Sequence, residues 1–412
     1  MHRARMSLRY LEENGWKGVV LAVRPSDVEG VVEPALLRSI PADTMVERVP
    51  ALPIRWTRRL GVGSLALRAM PYLYKAGAKI IADHRPDLVY FTTTQFATMT
   101  LGRLWKRRFG TPYVIDLQDP WAGGYYQSRP RGNRPPKYRW ASALHRTLEP
   151  WTMRQVDGVV AVTEPYHRDL CRRYPSMRPD RCATVPFGVE PGDFEIAASS
   201  ANGSQGSPQG ERWIRGVYVG VLGNVMRTTC TAICEALAAG LRSHPELFSR
   251  VRLDFVGTDY AHANPRETIR PIALERGLGA YITESPRRVP YFESLKHMVG
   301  ADFLLLVGSD DPHYTASKVF PYIFARRPLL AILHEASSTV GILRSTSSAE
   351  VVTFGDGADP EAIARSLLPT WERLLRRLPF EPATNGAALE AHTAREMTRR
   401  QCELFDRIVT ER

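Results

Sequence analysis

Tyr314-Thr-Ala-Ser-Lys-Val-Phe-Pro-Tyr-Ile-Phe-Ala-Arg-Arg-Pro-Leu-Leu-Ala-Ile332 reads as a polar turn, a short helix, a basic link and a buried strand. Thr315 or Ser317 can accept backbone N–H bonds where the helix starts, and Lys318 stands beside that positive helix end. N–H groups, hydroxyls and an ammonium converging there make an anion site. A capped helix with a solvated lysine accounts for the same residues. Pro328 closes the helix, and the apolar run from Leu329 to Leu333 is a strand.

Outward from this stretch the same helix–strand alternation recurs. Upstream, Gly216–Leu222 is a strand, Gly223-Asn-Val-Met-Arg227 a loop, and 228–241 a helix. Further strands are Val251–Val256, Ala301–Val307 and Val351–Phe354. In the first half, strands at 19–23, 86–91, 113–117, 158–163 and 182–189 alternate with helices at 97–108, 141–155 and 164–174. A helix is expected over Met1–Asn14 with Gly15 as its stop, and a basic, apolar helix over Ile54–Ile81. The rhythm predicts parallel sheets. Ligands of such sheets bind beyond the carboxyl ends of strands. Asp116 and Asp119, in Asp116-Leu-Gln-Asp-Pro-Trp121, are therefore placed for chemistry or for holding sugar hydroxyls, although either could cap a turn. Residues 125–139 read as a basic loop beside the same edge.

A length of 412 residues suits two domains. Thirty Lys and Arg against nineteen Asp and Glu leave residues 1–195 at +11; twenty-five against twenty-four leave the remainder at +1, within the +12 of the whole. A one-sided excess points to an anionic partner of the first half. The aromatics and arginines form no base-stacking platform, so no nucleic-acid partner is expected. Five cysteines without paired metal spacing fit a reducing compartment and no metal site. No glycine fingerprint of a dinucleotide site or P-loop follows any strand.

Five blocks, in order, are similar to those of retaining GT-B glycosyltransferases of family four: Asp116–Trp121, Val159–Glu164, Val185–Phe194, Tyr218–Leu222 and Ser317–Ile323. The resemblance implies an α/β fold of two Rossmann-like parallel-sheet domains facing a cleft. It implies a nucleotide-diphosphate sugar as co-substrate, with no further cofactor and no essential metal. The acceptor would be a glycan or lipid-linked sugar, in surface polysaccharide or glycolipid synthesis. By the same resemblance Arg227 and Lys318 face the donor diphosphate, and Asp119 is the catalytic residue at the edge of the first domain. Gly223, Asn224, Thr315, Ser317 and Tyr322 complete the donor side, and Asp116 and Trp121 lie on the acceptor side. Two family glutamates are replaced here, by His313 and by Pro321. Loss of the second, which grips the donor ribose in relatives, leaves a catalytically inactive sugar-nucleotide-binding protein as the alternative.

The expected organisation is an acceptor domain over 1–195, a linker over 196–211 and a donor domain over 212–385. Residues 386–412 then form a helix returning to the first domain. Localisation is expected to be cytoplasmic, peripheral at an anionic membrane face. In the resembling family a first strand and a glycine-rich turn precede a helix like Met1–Asn14, so both are expected ahead of Met1.

Overall fold

The computed structural model describes residues 2–29, 33–59, 61–121, 138–199, 213–259, 264–311 and 319–411. The chain divides into two compact units, Met1–Gly188 with Ala394–Arg412, and Val189–Thr393. Both are built on parallel strands.

In the first unit, β1 (Val19–Val23) and β2 (Met45–Val49) form a parallel pair. A second parallel sheet runs β3 (Val89–Thr92), β4 (Tyr113–Leu117), β5 (Gly158–Ala161) and β6 (Cys182–Thr184). Helices α1 (His2–Leu8), α2 (Ile54–Thr57), α3 (Leu65–His84), α4 (Thr100–Phe109), α5 (Tyr138–Met153) and α6 (Glu164–Arg173) belong to it. Period-two alternation sorts β4 and β5 between two apolar layers. Tyr113, Ile115, Leu117, Val159 and Ala161 join the α3–α4 core, where Trp105, Met99 and Leu73 also lie. Val114 and Val160 join the opposite core with Met397, Leu404, Phe405 and Ile408. Covered on both faces, these strands read as nearly continuous apolar runs, interrupted in β4 by Asp116. The second core is completed by the chain's final helix, Ala394–Thr410, which returns to this unit.

Among the described residues the second unit holds six parallel strands: β7 (Ile214–Val219), β8 (Val251–Val256), β9 (Ile282–Ser285), β10 (Phe303–Val307), β11 (Leu329–His334) and β12 (Glu350–Phe354). Their order is β12-β11-β10-β7-β8-β9. The chain therefore starts in the middle, winds to one edge, and restarts beside β7 to wind to the other. Around the sheet lie α7 (Pro191–Ser199), α8 (Arg227–Ser243), α9 (Pro245–Phe248), α10 (Ile269–Glu275) and α11 (Tyr291–Val299). They are followed by α12 (Val319–Phe324), α13 (Ser338–Thr346), α14 (Pro360–Arg377) and α15 (Gly386–Glu390). Along α8, Cys230, Ile233, Cys234, Leu237 and Gly240 follow helical spacing, and all are buried. Burial pushes the Cys234 thiol up to about 12. The buried Glu284 carboxylate starts α10: it accepts the Thr268, Ile269 and Arg270 amides at 2.9 Å and the Thr258 hydroxyl at 2.5 Å. Four donors around one carboxylate satisfy amides that a helix start leaves open.

Several expected boundaries move. The helix expected over Met1–Asn14 ends at Leu8, and a 3-10 turn at Glu12–Asn14 closes on left-handed Gly15 (φ 76°). The helix expected over Ile54–Ile81 breaks into α2 and α3 around Gly61 and Gly63. β6 stops at Thr184 because Pro186 cannot donate to a ladder. Residue 195 was expected to end the first domain, yet the units part between Gly188 and Val189. The reason is α7: Phe194 is buried within the second unit, and the Tyr291 hydroxyl donates to Asp193 at 3.0 Å. Of the expected linker, 196–199 are helical, and 200–211 fall outside the described residues. Residues 386–393 likewise stay with the second unit.

Two glycines test the packing. A Cβ at Gly77 in α3 would run into the Trp105 indole of α4, whereas one at Gly341 in α13 meets nothing within 4 Å. Gly77→Ala is expected to destabilise by about 1–3 kcal/mol through overpacking. Gly341→Ala is expected to stabilise by about 0.4–1 kcal/mol through the unfolded chain. Thermal melts of both variants check the pair.

Candidate functional site

In the first unit the carboxyl ends of β3, β4 and β6 meet over a fully buried ion pair. Arg3 Nε lies 2.9 Å from Asp116 Oδ2, and neither side chain is exposed. Arg3 Nη2 also donates to the Val185 carbonyl at 2.7 Å, and its guanidinium sits 4.6 Å from the centroid of Phe187. The same Asp116 oxygen accepts from Thr92 Oγ1 and from Gln118 Nε2, both at 2.8 Å. The first turn of α1 carries arginines where positive charge opposes the helix dipole. The structure resolves this by burying Arg3 and Arg5 against acceptors, Ser39 Oγ at 2.8 Å in the case of Arg5. Asp116, expected to face an acceptor, is a buried anchor for this edge.

Asp119 stands three residues further on, exposed, with no hydrogen bond to the described residues. Burial, and then the charge of Asp119, push the Tyr166 hydroxyl of α6 up. Trp121 is buried: its indole N–H donates to His145 Nδ1 at 2.8 Å, and its ring stacks on Phe96 at 5.6 Å. That bond requires His145 to be neutral, with its proton on Nε2. Burial favours this by lowering the His145 pKa, against the opposing charge of Glu149. Trp121 therefore supports the Asp119 turn from beneath. His145 was not singled out by the sequence, because the bond that uses it joins residues 24 positions apart.

In the second unit the strand order reverses between β7 and β10. Loops leave these two strands at their carboxyl ends, the place where doubly wound sheets bind ligands. The first loop is Gly223–Met226, which leads into α8; Asn224 and Arg227 are exposed, the Arg227 amide donates to the Asn224 carbonyl, and the Arg227 side chain makes no hydrogen bond to the described residues. The second loop is Gly308–Asp311. Its Asp310 amide donates to the Val225 carbonyl at 2.7 Å, and Asp310 Oδ2 accepts from Thr228 Oγ1 at 3.0 Å. Ser309 Oγ accepts the Asp311 amide at 3.0 Å. The loops are thus locked together beside the first turn of α8. Ser309 to Asp311 escaped the sequence reading; the signal was a polar turn directly after an apolar strand, but only the strand order makes it matter.

Tyr322, expected on the donor side, is instead a buried brace. Its hydroxyl accepts from the Val219 amide at 2.7 Å and donates to the Val219 carbonyl at 3.0 Å, pinning α12 to β7. Thr315, Ser317 and Lys318 lie outside the described residues, as does most of the 125–139 loop. Among the described residues no cluster of three or more His, Cys, Asp or Glu could hold a metal, and no helix is long and apolar enough to cross a membrane.

Residue Arg3 gives a stability prediction. Arg3→Ala leaves the Asp116 carboxylate buried and uncompensated, at an expected cost of about 3–5 kcal/mol. Adding Asp116→Asn is expected to recover part of it in chemical denaturation. His145 gives a pH prediction. Its folded pKa lies below the ordinary 6.5, so the unfolded chain binds the proton more tightly between the two values. The associated stability is present above pH 6.5 and is lost as pH falls toward the folded value. His145→Gln keeps an acceptor for Trp121 without titrating, so its melting temperature is expected to fall less between pH 7 and 5 than that of the unaltered chain.

Residues 2–188 match the family model described as a glycosyl transferase 4-like domain. No curated protein sequence matches the chain. Among solved structures, a glycosyltransferase from Rickettsia africae ESF-5 aligns at 13% identity and TM-score 0.56, over 100% of this chain and 95% of that one. The N-terminal domain of Candida albicans trehalose-6-phosphate phosphatase aligns at 15% identity and TM-score 0.57, over 98% and 92%. Anabaena Alr3699/HepE, solved in complex with UDP, aligns at 12% identity and TM-score 0.51, over 94% and 99%. The first unit thus carries the sequence pattern of a glycosyl transferase 4-like domain, in a chain with the two-domain, Rossmann-like GT-B fold.

Proposed function

We propose that this chain is a retaining glycosyltransferase that moves a hexose-type sugar from a nucleoside-diphosphate sugar to an acceptor hydroxyl. The observation that carries the reading is the β7/β10 reversal of the second unit. Exposed Arg227 stands there at the start of α8, in a chain whose first unit matches a glycosyl transferase 4-like domain. Arg227 and the start of α8, joined by Lys318, Thr315 and Ser317, would hold the diphosphate. Their positive charge would stabilise the negative charge that builds on the leaving group as the glycosidic bond breaks. Asn224 and Gly223 would let the loop approach it closely.

Asp119 is the candidate catalytic carboxylate of the first unit. Exposed and without a cationic partner among the described residues, it is available to orient an acceptor hydroxyl or to stabilise an oxocarbenium-like centre. The acceptor in this reading is a glycan or lipid-linked sugar at the cytoplasmic membrane face, in surface polysaccharide or glycolipid synthesis. The HepE protein of the same fold was solved with UDP, which makes UDP the first nucleotide to test.

Calorimetry with UDP, and with other nucleoside diphosphates beside it, tests the donor side. Arg227→Ala is expected to weaken binding of the nucleotide that binds by about 1.5–3 kcal/mol, the scale of a charge-assisted hydrogen bond. An unchanged Kd would remove Arg227 from the site. For Asp119→Asn, donor turnover is expected to fall in kcat with nucleotide affinity retained; normal turnover would return Asp119 to the status of a turn residue.

A further inference from the structure

The first unit exposes a compact apolar and cationic surface at the carboxyl ends of β1 and β2. Two loops build it: Arg24–Glu29 after β1, and Pro50–Thr57 after β2. They are joined from beneath by Arg68 of α3, itself only 2% exposed. Arg68 Nη1 donates to the Leu52 carbonyl at 2.8 Å and Nη2 to the Asp27 carbonyl at 3.2 Å. Asp27 Oδ2 accepts the Ala51 amide at 3.1 Å, and the Leu52 amide donates to the Arg68 carbonyl at 3.1 Å. The platform is therefore tied at four points.

On it the apolar side chains point outward. Trp56 is 64% exposed, the highest value among the large hydrophobic residues described, and Leu52 and Val28 are each 38% exposed. Arg24, Arg55 and Arg59 are exposed around them. Arg58 is exposed as well and pairs with Glu29 at 2.9 Å; with half-buried Asp27 in the same loops, two acidic groups stand against four exposed arginines. Helix α3, by contrast, turns its apolar stripe inward through Ala69, Leu73 and Ile81. The helical stretch expected over 54–81 therefore contributes its first turn to this surface and its remainder to the core.

We infer that this surface docks the protein on an anionic lipid bilayer. An indole and two aliphatic side chains beside unneutralised arginines match the acyl–headgroup boundary, where apolar groups sink a few ångströms and cations meet phosphate. A nucleic acid would satisfy the charge, but Trp56 is the single aromatic of the surface, flanked by Leu52 and Val28, and one ring is no platform for successive bases. The inference deepens the reading of a lipid-linked acceptor, because a transferase held at the surface meets such an acceptor where it lies.

Co-sedimentation with vesicles tests it, using phosphatidylcholine alone and phosphatidylcholine mixed with phosphatidylglycerol. Binding is expected to the mixed vesicles only, and to fade as salt is raised. Arg55→Glu with Arg59→Glu is expected to lower the partition coefficient at least 25-fold, given about fivefold per arginine lost. Trp56→Ser is expected to lower it at least fivefold. Both variants alter exposed side chains, so melting temperature and nucleoside-diphosphate affinity are expected to stay unchanged. Equal recovery on both vesicle types, or full binding by both variants, would overturn the inference, as would tighter binding to generic duplex DNA than to the mixed vesicles. Absence of sugar transfer alongside anionic-vesicle binding would overturn the enzymatic reading and leave the docking surface standing.

Discussion

The Arg3–Asp116 pair is the constraint around which the first unit is arranged. Taking two charges out of water is costly, and the geometry here offsets it with further bonds. Arg3 reaches a backbone carbonyl after β6, and Asp116 collects Thr92 from β3 and Gln118 from its own strand's exit. One interaction thus sets α1, β3, β4 and the β6 exit relative to one another. Asp119 stands just beyond this anchor, so its position follows from a buried ion pair that is not itself placed for chemistry. The Trp121–His145 bond adds a second fixed point on the other side of the same turn.

The second unit solves a different problem, that of making a binding edge in an open sheet. With all six strands parallel and both faces covered, an opening arises only where the winding reverses, between β7 and β10. The hydroxyl of Tyr322 fixes the end of β7, Glu284 fixes the start of α10 beyond the neighbouring strands, and the Asp310–Val225 bond closes the two loops on each other. Tyr322 and Glu284, both buried, are satisfied largely by backbone partners. Arg227, exposed, stands at the start of α8 beside these loops.

Charge is distributed in keeping with this division. The excess of the first half does not coat it evenly. Two of its arginines are buried in α1 and one beneath the 24–57 platform, where each bonds neutral or anionic acceptors. Others crowd the platform's surface. Net charge alone therefore pointed to an anionic partner, while the location of the surface came from which arginines the fold took inward.

The sequence by itself determined the α/β class, the parallel strands and the restart of the pattern after the first half. These follow from apolar runs too short for helices and alternating with periodic segments, which local chemistry dictates. It also placed Asp119 just after a strand and Arg227 at the end of the loop that follows one, since polar residues after an apolar run can be read without knowing their neighbours. Tertiary structure alone decided the roles of Asp116, Trp121 and Tyr322, because burial and bonding depend on residues far along the chain. It decided the split at Gly188, where α7 follows its apolar contacts into the second unit. It brought Ser309–Asp311 to the β7/β10 reversal through strand order, and it broke the 54–81 helix at Gly61 and Gly63, freeing Trp56 to face outward. Spacing along a chain carries periodicity; which edge meets which partner is set by packing across it.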